Sequence, residues 1–273
     1  MTNQFFTEFH DKGTGIIFRI KRELFSAKSD FQEIKIFETE TFGRLLVLDG
    51  LVMLTEKDEF VYHEMLVHPA FSFKDKVLKV GVIGGGDGGT VREILKYQDV
   101  KTVYLVEIDR TVVEASIKYL EFTSCSLNDE RVNIFYEDGV KFLNERNENF
   151  DLLFVDSTDP VGPAVALYSM DFYKSIKKNL SQDGIVVFQS ESPWFHLEVI
   201  KEQIDNLKKL FKNVKLYLAS IPTYPGGFWS FTIVSDTDLV TRREEIPEGL
   251  RYYNESIREH LFALPEFIRN ATG

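Results

Sequence analysis

Residues 83–93 read Ile-Gly-Gly-Gly-Asp-Gly-Gly-Thr-Val-Arg-Glu, and they constrain the fold more than any other stretch. Five glycines surround Asp87 within six residues. The apolar run Val77–Ile83 precedes them, and a helix-like pattern over Thr90–Tyr97 follows. Strand, glycine turn and helix in that order is the layout in which an α/β protein holds a nucleotide-like ligand. Glycine lets the backbone turn tightly and approach the ligand. Asp87 is the unusual member. A carboxylate does not belong where a phosphate would sit at a helix N-terminus, so the ligand group facing this loop is expected to be cationic.

Downstream, strands and helices alternate. Candidate strands are Val77–Ile83, Thr102–Ile108, Val132–Tyr136, Leu152–Asp156 and Ile185–Gln189, with helices over Thr90–Tyr97, Thr111–Leu120, Gly139–Glu145 and Tyr168–Asn179. This predicts a parallel sheet with helices on both faces. A helix over Leu197–Leu210 precedes Val214–Ser220 and Trp229–Ser235, which are expected to close the sheet as a hairpin. The tail Arg251–Arg269 reads as one helical segment. Upstream, Gly15–Phe25 and Phe31–Glu38 look like strands. Gly43–Leu48 and Leu51–Thr55 flank Asp49-Gly50, a hairpin signal. A helix over Asp58–His68 leads to Pro69. The expected organisation is a β-strand domain over 1–60 and an α/β domain over 61–273 with a helical tail.

The 273 residues are 44% hydrophobic and 27% charged, as in an ordinary globular protein. No run approaches the roughly 18 apolar residues of a membrane span, and the opening residues lack a basic region followed by an apolar core, so no secretory signal is expected. A net charge of −11 argues against a nucleic-acid partner. Cys125 is the single cysteine, which excludes an intrachain disulfide and fits a reducing, cytoplasmic location. It has no basic neighbour to activate it as a nucleophile. The five histidines show no metal-ligand spacing beyond one i, i+5 pair, so no metal is expected.

Ligands of a doubly wound sheet bind beyond the carboxyl ends of its strands. Here every candidate strand ends in acids or amides: Asp87; Glu107 and Asp109; Asp138, followed by Gly139; Asp156 and Asp159; Gln189 and Glu191. Capping of the next helix explains one or two of these, Asp138 first, but not all. Glu107 has the position of a ribose-binding acid. Asp138 stands one strand over, where it would take the exocyclic amine of an adenine. Together they point to an adenosyl-methionine type of ligand. Asp87 then discriminates. It repels the carboxylate of S-adenosylmethionine and attracts the bare ammonium of the decarboxylated form. Two charges about 4 Å apart interact by roughly 4 kcal/mol at an effective dielectric of 20, enough to choose between them.

The chain resembles the spermidine synthases, a family of polyamine aminopropyltransferases. The segments that carry the likeness are Phe31-Gln32-Glu33-Ile34, Leu46-Val47-Leu48-Asp49-Gly50, Thr55-Glu56-Lys57-Asp58-Glu59-Phe60, Tyr62-His63-Glu64-Met65, Gly84 to Gly89, Val106-Glu107-Ile108-Asp109, Asp156-Ser157-Thr158-Asp159-Pro160 and Pro222-Thr223-Tyr224-Pro225. They run over nearly the whole chain. Met53 departs from the Gln frequent in relatives, outside the motifs that carry chemistry. The resemblance implies a Rossmann-like, methyltransferase-type doubly wound α/β sheet with a small N-terminal antiparallel β domain. It implies transfer of an aminopropyl group from decarboxylated S-adenosylmethionine to putrescine, giving spermidine and methylthioadenosine. The donor is a co-substrate, its sulfonium already activates the carbon, and no cofactor is required.

The attacking amine must be neutral, yet an alkyl amine resembles Lys, with a pKa of about 10.4. A base is needed. Asp156 is the first choice, and Asp159, which would hold the acceptor, the second. The resemblance implies that Tyr62 and Tyr224 position the attacking nitrogen. It assigns Gln32, His63, Gly84, Gly86, Asp87, Glu107, Asp138, Gly139 and Pro163 to the donor. It assigns His63, Asp87, Asp156, Ser157, Thr158, Asp159, Gln189 and Tyr224 to the acceptor. Pro160–Ala166 reads as a loop over the site. The partners expected are the two small substrates and further copies of the chain, as a homodimer or homotetramer, with no membrane. Two alternatives are a diamine N-methyltransferase, against which Asp87 argues, and a non-catalytic polyamine-binding protein.

Overall fold

A computed structural model describes residues 4–157 and 166–272. The first five strands form an antiparallel sheet in sequence order: β1 (Gln4–Phe9), β2 (Gly15–Lys28), β3 (Glu33–Thr39), β4 (Arg44–Leu48) and β5 (Leu51–Thr55). The expected Asp49-Gly50 hairpin is present. Asp49 and Gly50 have φ of 48° and 84°, the pair of left-handed residues that a two-residue turn needs. Strand β1 escaped the sequence reading. It pairs along β2 with Phe6 opposite Phe18, an alternation too short to stand out.

The second sheet holds β6 (Lys79–Gly84), β7 (Thr102–Val106), β8 (Val132–Phe135), β9 (Phe150–Asp156), β10 (Leu180–Gln189), β11 (Asn213–Ser220) and β12 (Phe228–Ser235). Their order is β11-β12-β10-β9-β6-β7-β8. The stretch from β10 to β8 is parallel, as alternation predicts, and β12 joins β10 and β11 antiparallel. The chain winds outward in both directions from the β6–β9 pair. That pair is the topological switch point, where ligands bind. Gly84 and Asp156 are register partners there.

One core lies on the face covered by α1 (Glu59–Ser72) and α2 (Gly89–Ile94); the other packs α5 (Gly139–Glu145) and α6 (Met170–Asn179) through Phe142, Phe172 and Tyr173. The N-terminal sheet meets the larger sheet through α3 (Arg110–Tyr119), where Ile34, Leu46 and Leu48 pack with Val112 and Ala115. Short α4 (Glu121–Ser124) follows, and α7 (Leu197–Lys208) precedes β11.

Helix α1 runs through Pro69 instead of stopping before it. Proline has no N–H for the carbonyl four residues back. Here that carbonyl, Met65, accepts the Tyr217 hydroxyl at 2.8 Å, which restores the missing bond. The C-terminal tail also differs from expectation. It is two short helices, α8 (Glu255–Glu259) and α9 (Glu266–Thr272), because Pro265 admits a helix start but no helix interior. Its beginning is tied to α1 by buried Glu64, which accepts the N–H groups of Arg251, Tyr252 and Tyr253 at 2.8 Å each. No helix among the described residues is long and apolar enough to cross a membrane.

Candidate active site

The carboxyl ends of β9, β6, β7 and β8 open into one cavity, roofed by residues of the N-terminal sheet. Twelve of the residues assigned from sequence line it: Gln32, Tyr62, His63, Gly84, Gly86, Asp87, Glu107, Asp138, Gly139, Asp156, Ser157 and Tyr224. Thr158, Asp159 and Pro163, and residues 160–165 of the expected covering loop, lie outside the described residues.

The glycine loop is shaped by protein side chains as much as by any ligand. Gly85 has φ of 71°, and a Cβ there would stand 2.6 Å from Asp156 Oδ2. A Cβ on Gly89 would meet the His63 ring at 2.3 Å. Any side chain at either position would displace Asp156 or His63.

Asp156, at the tip of β9, accepts two hydroxyl hydrogen bonds: Tyr62 to Oδ1 and Thr90 to Oδ2, both at 2.6 Å. Burial and the nearby Asp87 carboxylate raise its pKa, working against those two donors. Burial, then Asp156 itself, pushes the Tyr62 phenol well above its ordinary value, so Tyr62 acts as a donor.

Asp87 Oδ1 accepts the Gly89 N–H at 2.9 Å and lies 3.3 Å from His63 Nε2. Its Oδ2 takes no hydrogen bond from the described residues. His63 is buried. Burial opposes its charge, but Asp87 and Glu59 outweigh that and raise its pKa to about 10. Asp87 therefore faces the cavity beside an imidazolium, which tempers the charge the sequence alone suggests.

Glu107 is buried at the end of β7. Oε1 accepts the Asp109 N–H at 2.9 Å and Oε2 the Gly86 N–H at 3.2 Å. Burial raises its pKa to about 7 despite those bonds. Asp138 and Asp109 both cap helices: Asp138 Oδ1 accepts from Val140 and Lys141, and Asp109 Oδ1 from Thr111. Two of the strand-end acids thus have a structural task. Asp138 combines it with a place in the cavity wall. Gln32 also lines the cavity, with its amide donating to Asp109 Oδ2 at 3.0 Å.

Gln189 is buried and not among the residues lining this cavity, and its amide donates to the Ser157 carbonyl and the Tyr168 hydroxyl, both at 3.1 Å. In this structure it supports the backbone after Asp156. Met53 does belong to the site: it lines the cavity, and its carbonyl accepts the Tyr224 hydroxyl at 2.5 Å. Tyr224 is held further by its neighbour, since Thr223 donates its N–H and hydroxyl to Asp58 Oδ2 at 3.1 and 2.7 Å. Past β10, buried Glu191 has a φ of 69° and lies 3.0 Å from His196 Nδ1. A positive φ is strained for a non-glycine residue and clusters at functional sites. Thr90, Glu59 and Arg92 were missed. Thr90 sits inside the glycine motif and Glu59 one helical turn before His63, so spacing held the signal for both.

A cavity at the switch point of a doubly wound sheet, with an acid on each of four adjacent strand ends, is where such a fold takes a small-molecule ligand. The sequence model of the spermine/spermidine synthase domain matches residues 59–244, and that of the spermidine synthase tetramerisation domain matches residues 4–56. The polyamine aminopropyltransferase of Caldicellulosiruptor bescii is 46% identical over 270 residues, covering 97% of this chain and 96% of that one. That of Shouchella clausii is 44% identical over 268 residues, covering 97% and 98%. The crystal structure of a spermidine synthase in complex with the transition-state analogue AdoDATO superimposes with a TM-score of 0.97 at 36% identity, covering 100% of this chain and 96% of that chain. The spermidine synthase of Thermotoga maritima gives 0.95 at 36% identity, covering 100% and 95%. The chain belongs to the spermine/spermidine synthase family and is a transferase.

Proposed function

We propose that the protein transfers the aminopropyl group of decarboxylated S-adenosylmethionine to putrescine. The observation that carries this reading is the Asp87–Asp156 pair at the switch point, with Glu107 on the next strand. In this reading Asp87 takes the cationic tail and Asp156 takes the proton. The acceptor nitrogen attacks the carbon beside the sulfonium. A C–N bond forms, the C–S bond breaks, and its electron pair returns to sulfur as neutral methylthioadenosine. The proton on nitrogen passes to Asp156, whose raised pKa brings it nearer the amine it serves. As positive charge moves from sulfur to nitrogen, fixed carboxylates stabilise it without rearranging.

Within this reading Glu107 takes the ribose hydroxyls, and Asp138, Gly139, Gly84, Gly86, Gln32 and Pro163 surround the adenosyl group. His63, Tyr62, Tyr224, Ser157, Thr158 and Asp159 hold the acceptor. Gln189, acting through Ser157, and Glu191 are assigned to the far ammonium of the diamine. His63, Asp87 and Asp156 bring potential metal ligands within 4.8 Å of one another. With both ring nitrogens facing carboxylates, however, the imidazolium has no lone pair for a cation. No cofactor is invoked.

We place the unit boundary near residue 60 and the protein in the cytoplasm. We assign assembly into a homotetramer to the N-terminal sheet, where Phe5, Phe9 and Ile17 are exposed. The test is incubation with decarboxylated S-adenosylmethionine and each of putrescine, cadaverine, agmatine and spermidine. Equimolar spermidine and methylthioadenosine from putrescine is the expected result. Methylation of putrescine by S-adenosylmethionine, with no use of the decarboxylated donor, would replace this reading by the methyltransferase one.

A further inference from the structure

Behind His63 runs a line of charged groups that the proposed chemistry does not use. His63 Nδ1 lies 2.6 Å from Glu59 Oε2, one helical turn earlier on α1. Arg92 of α2 donates to both Glu59 oxygens, from its two terminal nitrogens, at 3.0 and 2.9 Å. Such a fork fixes the plane of a carboxylate as well as its charge. Arg92 is itself anchored by the Phe122 carbonyl at 2.6 Å and Glu93 Oε1 at 2.8 Å. Glu59 and His63 are both buried.

Buried charges are costly unless paired and hydrogen-bonded. Here they alternate in sign from Arg92 through Glu59 and His63 to Asp87, so each is compensated. The groups that face His63 are Glu59 and Tyr62 from α1, Asp87 from the glycine loop and Asp156 from β9, with Arg92 of α2 acting through Glu59. Two carboxylates, one at each ring nitrogen, leave the ring a single way to bond, as a donor on both sides.

We propose that Glu59 and Arg92 are positioning residues: they fix the His63 ring so that Nε2–H meets Asp87 Oδ1 and leaves Asp87 Oδ2 for the cationic substrate. The assignment of that substrate rests on the aminopropyl-transfer reading; the charge line does not. Without Glu59 the ring loses its second acceptor and the orientation that goes with it. Asp87 then faces a ring free to turn, and the amine binds a less ordered carboxylate.

The test uses the full chain with 15N-labelled histidine, in the parent and in Glu59→Gln and Arg92→Lys. The His63 signals are assigned by their loss in His63→Gln. In the parent, both ring nitrogens should carry protons at pH 8. In Glu59→Gln, the His63 titration should move down by about one pH unit or more. Arg92→Lys keeps a charge but loses the fork, and should shift it in the same direction by less. KM for the amine should rise about tenfold in Glu59→Gln, as for one lost charge-assisted hydrogen bond, with kcat changing far less. A purely structural role would lower the melting temperature and leave the His63 titration in place. An unchanged titration in both variants overturns the proposal. A parent protein that transfers no aminopropyl group would strike the substrate reading alone, because the spectroscopic result needs no turnover.

Discussion

The Thr90 hydroxyl donates to Asp156 Oδ2 at 2.6 Å, across the carboxylate from the Tyr62 hydroxyl. A hydrogen bond to a charged group is worth about 1.5–3 kcal/mol, so Thr90 favours the ionised form of Asp156. Thr90→Val removes the donor at nearly constant shape. Its acid limb of kcat/KM should move up by about one pH unit. Thr90→Ser should stay near the parent. A pH–rate profile unchanged in Thr90→Val would show that Asp156 does not set it.

Asp156→Asn keeps the shape of the site and loses the carboxylate proposed to take the proton. Turnover should fall by at least about tenfold, while donor binding measured by calorimetry survives. Near-normal turnover would move the base elsewhere.

Asp87→Asn should weaken the decarboxylated donor and relax the exclusion of S-adenosylmethionine. The His63 imidazolium beside Asp87 reduces the bare Coulomb advantage, so a selectivity change of about 1–3 kcal/mol is expected, below the roughly 4 kcal/mol of an unscreened pair. Competition binding with the two donors measures it. Equal selectivity in parent and variant would remove the charge argument.

Glu107 carries a stability signature. Its pKa is raised from 4.5 to about 7 on folding. A raised folded-state pKa means that the contribution is full below the unfolded value and is lost as pH rises through the folded one. Between pH 4.5 and 7 the parent should lose about 3 kcal/mol through this group. Glu107→Gln should lack that slope, while its donor affinity falls. Denaturant unfolding of both proteins at pH 5 and pH 7.5 gives the difference; parallel losses would contradict the assignment. His63 adds its own loss from 6.5 up to about 10, which overlaps the upper end of this window, but both proteins carry it, so it cancels in the difference between parent and Glu107→Gln.

Tyr217 and Pro69 should be energetically coupled through the Met65 carbonyl. Tyr217→Phe leaves that buried acceptor unsatisfied and should cost about 1–3 kcal/mol. In a Pro69→Ala background, the restored N–H supplies a partner and the cost should shrink. Equal costs in the two backgrounds, by double-mutant cycle, would exclude the coupling.

Much of this architecture is legible in the residues. Strand–helix alternation after Val77 gives the parallel order, and the glycine loop gives its ligand end. Asp49-Gly50 gives the hairpin. Where the reading fell short, the missing information was long-range. A proline marks a helix end unless a distant hydroxyl covers the carbonyl it frees, as Tyr217 does from β11. Pattern alone also gives Met53 no reason to be in the cavity, since its place depends on how the small sheet docks. Asp109 and Asp138 look alike at strand ends, yet both cap helices and only Asp138 lines the cavity. Thr90 could have been found inside the glycine motif, but its partner lies 66 residues away in the chain.

The central claim is that an acid-lined cavity prefers a donor whose tail is an ammonium without a carboxylate. The most direct measurement compares methylthioadenosine release from decarboxylated S-adenosylmethionine with methyl transfer from S-adenosylmethionine, putrescine being present at the same concentration in both. Rapid release from the decarboxylated donor with no methylated putrescine is the predicted result. Methylated putrescine with no methylthioadenosine would contradict the account.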